Sequence, residues 1–183
     1  HALALLFARE KARGNFEATK AQGSGAIPQR EILARAMLAR ELRCPLRDVP
    51  ICRETHGKPV LKDCTNLFFN ISHSGDYAVC AVSKQPVGID IDESGDQPNV
   101  ARRVCSDAEQ KLLEQCEDPA RLFYRLWTLK ESYVKLTGTG ISVPLSQITF
   151  SFLADGRVES NQKGFNLRVS RLEMDIGWPL GKK

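Results

Sequence analysis

Between Arg121 and Leu136, apolar residues recur at Leu122, Leu126, Leu129, Tyr133 and Leu136, in steps of four, three, four and three. That spacing gathers them on one stripe of an α-helix, and the stripe has to cover something apolar. Gly138-Thr-Gly140 stops the helix. A second amphipathic helix is predicted from Gln29 to Arg43, where Ile32/Ala36, Leu33/Met37 and Leu38/Leu42 lie four apart before Pro45 and Pro50 end it.

The surfaces for these helices to cover are predicted strands. Leu67 to Ser72 is one, His73 to Asp76 a turn, and Tyr77 to Ser83 a second strand. Lys84-Gln-Pro86 then turns into Val87-Gly-Ile-Asp-Ile-Asp92, which alternates strictly, so a three-stranded antiparallel meander is expected. Residues 93–100 are a polar, breaker-rich linker. Beyond it Ser106 and Glu109 have capping-box spacing, and strands are predicted at Gln147–Leu153 and Phe165–Leu172, with a hairpin turn at Ala154–Arg157. The opening segment, Ala2 to Arg13, reads as a short helix, apolar and then basic, followed by a loop at 21–28. Helices precede strands twice. The expected fold class is therefore α/β (α+β), with two similar lobes at 1–93 and 94–183, each a small antiparallel sheet packed with a long helix. No repeat is visible residue by residue.

The chain of 183 residues, 42% apolar and 26% charged, is long enough to bury a core without disulfides or a structural metal. No apolar run approaches the ~20 residues of a membrane span, and nothing resembles a secretory signal. Its first residue is His, read as following a removed segment or an arbitrary boundary. Twenty-six basic against 22 acidic side chains leave +4, too mild to argue for a nucleic-acid partner. Cysteines at 44, 52, 64, 80, 105 and 116 never fall in C-x-x-C spacing. They read as reduced thiols used as small core residues, which implies a cytoplasmic protein.

Four groups of residues carry chemistry. Asp90 and Asp92 share one strand face, with Ile89 and Ile91 on the other and Gly88 leaving open space beside them. Two carboxylates this close favour a hard dication between them, although two surface acids on a solvated strand would look the same. On the long helix Glu131 lies roughly 180° from the apolar stripe, with Lys135 one turn on. The pair reads either as an ordinary surface salt bridge or, with the aspartates, as a Mg²⁺ site with a cation beside it for phosphate. Asn70-Ile-Ser-His-Ser-Gly75 presents hydroxyl and imidazole groups at a turn, and His56-Gly-Lys-Pro59 projects Lys58 from another. By pattern alone, a turn histidine and a solvent-facing lysine are the commoner outcomes for these two.

Gly57-Lys-Pro59, Phe69-Asn-Ile-Ser-His-Ser74, Val87-Gly-Ile-Asp-Ile-Asp92 and Leu126-Trp-Thr-Leu-Lys-Glu-Ser-Tyr-Val-Lys135 together resemble, in order and spacing, the signature motifs of the surfactin-synthetase (Sfp) type 4'-phosphopantetheinyl transferases. The likeness runs from about Arg30 to Phe150, and Arg9-Glu-Lys-Ala-Arg13 resembles a basic helix of that family. The resemblance implies a pseudo-dimer of two α/β lobes in a monomer. It implies an enzyme that moves phosphopantetheine from coenzyme A to a serine of an apo acyl or peptidyl carrier protein, with Mg²⁺ (or Mn²⁺) as cofactor. Under it Asp90, Asp92 and Glu131 match the metal-binding acids and Lys135 the pyrophosphate lysine. Lys58, Ser72 and His73, with Arg30 and Arg53, match coenzyme A contacts. Glu109 matches a further acid near the site, the alternative to Glu131 as base. Asp92 stands where many relatives carry Glu. A leading strand of the family is expected to be absent or cut here, and Ile176 to Lys183 to stop short of its final strand. The rival readings are a catalytically silent coenzyme A or carrier-binding module, and a Mg²⁺-dependent nuclease, which usually has a tighter Glu-x-Lys spacing.

Overall fold

The computed structural model describes residues 3–9, 14–20, 28–54, 57–92, 100–140, 143–155 and 157–171. Strands β1 (Leu3–Arg9) and β2 (Gly14–Lys20) precede helix α1 (Gln29–Leu42), then β3 (Ile51–Arg53), β4 (Pro59–Leu61), β5 (Phe68–Ser74), β6 (Tyr77–Ser83) and β7 (Val87–Asp92). Helices α2 (Ala101–Val104), α3 (Asp107–Gln115) and α4 (Pro119–Thr137) follow, and β8 (Phe150–Phe152), β9 (Val158–Ser160) and β10 (Phe165–Arg171) end the described chain. Two three-stranded antiparallel sheets, ordered β2-β6-β5 and β10-β1-β7, carry the architecture. Helix α1 packs on the first and α4 on the second, so each small sheet has its long helix.

The two sheets meet where β7 packs on β5 and β6. Cys80 and Val82 of β6 point toward α1, in a cluster with Leu33, Met37 and Leu38. Val79 and Ala81, alternate residues on the other face, pack against Val87, Ile89 and Ile91 of β7. Strand β6 is therefore buried on both sides, which is why Ala78-Val-Cys-Ala-Val82 is apolar throughout rather than alternating. The third cluster lies around α4, where Leu126, Leu129 and Leu136 pack with Val104, Cys105, Ile148 and Phe150.

Three expectations change. Leu3–Arg9 is a strand, not the start of a helix, and it occupies the middle of its sheet, with β7 on one side and β10 on the other. A run apolar at nearly every position fits a central strand as well as a short helix. Partners distant in sequence decide between them. The structure thus has a leading strand after all, while residues 10–13 lie outside the described residues. The meander is only half formed: β5 and β6 make the hairpin, but β7 leaves them to pair with β1. Its apolar residues pack against Val79 and Ala81 of β6 without backbone pairing to that strand. The strand expected over Gln147–Leu153 shortens to Phe150–Phe152, preceded by a 3-10 turn at Leu145–Gln147.

Other elements fall where periodicity put them. The capping box is present: Ser106 Oγ accepts from the Glu109 amide and Glu109 Oε2 accepts from the Ser106 amide. Asp118 caps α4 with Pro119 in its first turn, and Gly138, at φ 70°, closes it in the left-handed conformation that glycine takes without cost. The linker at 93–99 and the tail from 172 onward lie outside the described residues. Among the described residues no helix is long and apolar enough to cross a membrane.

All six cysteines are free thiols. Burial, with some help from Glu17, pushes the Cys80 thiol up to about 12, and burial, then Glu109, pushes Cys105 up to about 11. At pH 8 either group is thiolate on the order of a thousandth of the time or less, and thiolate is the reactive form. Iodoacetamide at pH 8 is therefore expected to leave Cys80 and Cys105 unmodified in the native protein and to reach them in urea. Rapid native alkylation of either, read by peptide mass spectrometry, would contradict the burial described.

Candidate active site

The site begins with a close approach between β7 and α4. A Cβ on Gly88 would stand 2.0 Å from the Ser132 carbonyl oxygen and 2.6 Å from the Leu136 amide nitrogen. The space beside Gly88 is thus filled by the helix backbone rather than left open. Ser132, buried on the same contact, turns its hydroxyl back to the Leu129 carbonyl at 2.9 Å and offers β7 no bulk. Strand β7 is further pinned by Asn70 of β5, whose Oδ1 accepts the Ile89 amide at 2.9 Å.

With strand and helix in contact, Asp90 faces Lys135. Asp90 is 5% exposed. Its Oδ1 accepts from Ser72 Oγ at 2.7 Å and is ion-paired with the Lys135 ammonium, which also donates to Ser72 Oγ at 2.8 Å. One carboxylate, one hydroxyl and one ammonium from β7, β5 and α4 form a closed cluster, so each buried polar group is satisfied. It borders a cavity of about 560 Å³ that Ser72, His73, Asp90, Glu131 and Lys135 share with Ser74, Arg103, Trp127 and the segment Val143-Pro-Leu145. The three motifs noted at 70–75, 87–92 and 126–135 therefore converge on one cavity.

His73 lies at the rim. Partial desolvation, then the positive charges of Arg30 and Lys135, pull its pKa below the ordinary value, with Asp90 opposing. Without a ligand the imidazole is thus biased toward its neutral, hydrogen-bonding form. Arg30 and Arg53 stand together at a second, smaller cavity of about 90 Å³ between α1 and the β3–β4 hairpin, with Arg53 donating to the Gly57 carbonyl at 2.9 Å. Lys58 donates to the Lys135 carbonyl at 2.6 Å, at the C-terminal turn of α4 where a cation meets the negative end of the helix. Burial pulls its pKa down against the opposite effect of Glu54. It does not border the large cavity, but it ties the β4 side of the fold to the helix that carries Lys135.

Glu109 is not brought to the cavity. It is wholly buried, ion-paired at 2.7 Å with an equally buried Lys130, and its Oε1 accepts the Phe150 amide at 2.8 Å. The expectation of an acid near the site gives way to a buried bracket between α3, α4 and β8. Lys130 was not singled out from the sequence. The signal was weak, because at 100° per residue it lies roughly 80° from the centre of the apolar stripe, on its flank, where a lysine reaches water as readily as a core partner. Arg103 and the 143–145 wall had no signal, since α2 and that segment reach the cavity only through tertiary packing.

The donor set suits a magnesium ion held partly by a ligand. Asp90 and Glu131 supply hard carboxylate oxygens at one cavity, and Mg²⁺ is commonly bound through one or two carboxylates plus phosphate oxygens and water. Among the described residues no three His, Cys, Asp or Glu side chains stand close enough to hold an ion by themselves. Asp92 follows on the same face of β7, described by its backbone only.

Sequence comparison covers the elements that build this cavity. Residues 86–174 match the model of the 4'-phosphopantetheinyl transferase superfamily, and residues 9–85 match that of the 4'-phosphopantetheinyl transferase N-terminal region. The chain is 34% identical over 133 residues to the 4'-phosphopantetheinyl transferase Sfp of Bacillus subtilis, covering 70% of this chain and 58% of that one. It is 39% identical over 130 residues to a 4'-phosphopantetheinyl transferase of Bacillus pumilus, covering 69% and 56%. With the human L-aminoadipate-semialdehyde dehydrogenase-phosphopantetheinyl transferase the figures are 35% over 136 residues, 65% and 44%. The chain thus spans about half the length of the curated relatives it matches. Two adjoining matches to one family, meeting at β7 where Asp90 is set, mean that this chain belongs to the 4'-phosphopantetheinyl transferase superfamily.

Proposed function

We propose that the protein transfers the 4'-phosphopantetheine group of coenzyme A to a serine of an apo acyl or peptidyl carrier protein, releasing adenosine 3',5'-bisphosphate. The observation that carries this reading is the Asp90–Ser72–Lys135 cluster on a cavity of about 560 Å³ that Glu131 also borders. It combines anionic oxygens for a metal with an ammonium for phosphate charge, which phosphoryl transfer requires. Asp90, Asp92 and Glu131 are the proposed holders of Mg²⁺ or Mn²⁺, which when bound offsets charge on the pyrophosphate oxygens.

The chain's own groups do the rest. Lys135 and Ser72 orient the pyrophosphate, with the ammonium stabilising the charge that gathers on the leaving phosphate. His73 hydrogen-bonds from the rim, while Arg30, Arg53 and Lys58 form the basic surround for the nucleotide phosphates. The carrier serine Oγ forms a bond to the pantetheine-side phosphorus as the bond from that phosphorus to the bridging oxygen breaks. The serine proton passes to Glu131, directly or through water. Glu109, buried and fully engaged, has no route to that proton. The two halves of the proposed division, 1–93 and 94–183, supply Asp90 and Glu131 with Lys135 respectively, and they interlock, since β1 and β7 of the first share a sheet with β10 of the second, so a cytoplasmic monomer suffices.

The test is intact-mass spectrometry of apo acyl and apo peptidyl carrier proteins incubated with this protein, coenzyme A and Mg²⁺. A phosphopantetheine-sized gain is expected, slowed about 100-fold or more by Asp90→Asn. Coenzyme A binding without a mass gain on any carrier would reassign the protein as a silent binding module.

A further inference from the structure

The segment that follows α4 is held by more than the transfer step requires. The Lys130 ammonium, wholly buried, donates to the carbonyls of Leu145 (2.9 Å) and Ile148 while pairing with Glu109. Glu109 in turn accepts the amides of Ser106 and Phe150, both at 2.8 Å. One buried pair therefore joins the start of α3, the middle of α4 and both ends of the stretch from Leu145 to Phe150. Apolar packing would fill this space at less electrostatic cost, but an ammonium carries three directed donors and places two carbonyls at defined points.

What is held there is a wall of the cavity. Trp127, Glu131 and Lys135 border the cavity at four-residue intervals along α4, so Lys135 and Trp127 are about 12 Å apart along the axis. The cavity is charged toward Lys135 and Asp90; toward Trp127 its lining is mainly apolar (Val100, Val104, Val143, Pro144, Leu145), with Arg103 of α2 the charged side chain beside it. Lys130 lies between Trp127 and Glu131 in sequence, and it anchors the Leu145 end of the Val143-Pro-Leu145 wall.

Resting on the reading of this cavity as a coenzyme A site, we propose that Glu109 and Lys130 are positioning residues that hold the 143–145 wall against the uncharged pantetheine arm of coenzyme A. Their loss is then felt by the arm and not by the charged nucleotide end. The test compares calorimetric affinities for coenzyme A and for adenosine 3',5'-bisphosphate, which lacks the arm. Two variants are used: Glu109→Gln with Lys130→Met, which removes both charges together, and Pro144→Gly, which loosens the exposed wall and leaves the bracket intact. Each is expected to bind coenzyme A on the order of tenfold more weakly with the bisphosphate unchanged, and to raise KM for coenzyme A more than it lowers kcat. Equal loss for both ligands, or full coenzyme A affinity in folded Pro144→Gly, overturns the proposal while the functional reading stands. Should the double variant fail to fold, the isosteric Glu109→Gln takes its place beside Pro144→Gly, with the same expected and overturning results. A wild-type protein that binds neither ligand overturns the functional reading and this proposal with it.

Discussion

Lys130→Met is expected to destabilise the protein by about 3–5 kcal/mol, one of the largest single-residue losses open to this fold. Methionine fills nearly the same volume, so the loss does not come from a cavity. It comes from Glu109, left as a wholly buried carboxylate with its ion partner gone, and from the Leu145 and Ile148 carbonyls that lose their donor. Removing both charges together, with Glu109→Gln added, is expected to recover most of the stability, because buried pairs contribute little net once both members are replaced. Urea midpoints at pH 7 for the two single variants and the double variant measure this cycle. Simple additivity would show that the two side chains do not form the unit described.

Gly88→Ala is expected to cost about 3 kcal/mol or more, the upper end for overpacking. The added methyl meets the Ser132 carbonyl and the Leu136 amide, both backbone atoms of α4 that cannot rotate away. The helix must move off β7 as a body, and Lys135 then moves away from Asp90. Thermal unfolding should show the stability loss, and the transfer assay should show an activity loss beyond the unfolded fraction. Wild-type stability and activity in this variant would mean that β7 and α4 are not in backbone contact.

Much of the site was legible because its residues lie on elements with strong local patterns. The steps of four and three from Leu122 to Leu136 set one buried stripe of α4 and leave Glu131 and Lys135 away from it, although Thr128, Lys130 and Ser132, off the stripe, are buried as well. Alternation in β7 separates Asp90 from Ile89 and Ile91. What misled was local ambiguity: Leu3 to Arg9 is apolar enough for either helix or strand, and only pairing with β7 and β10 chooses. Burial misled as well. Asp90 reads as either a metal-binding acid or a surface acid on a solvated face, and neither reading shows that it is buried, with α4 covering that face and Lys135 and Ser72 satisfying the carboxylate. Glu109 reads as an acid for the site and is instead bound inside the core by Lys130.

The two long helices, the β5–β6 hairpin, the capping box of α3 and the glycine end of α4, with the residue types needed for phosphate chemistry, were determined by the sequence itself, because each depends on neighbours within about one helical turn or one hairpin. Which strands pair, which carboxylate stays accessible and which lysine serves the core were decided only by tertiary structure. Those outcomes depend on the packing of β7 against α4 and on where two charges out of water find each other, and neither is a property of any local stretch of chain.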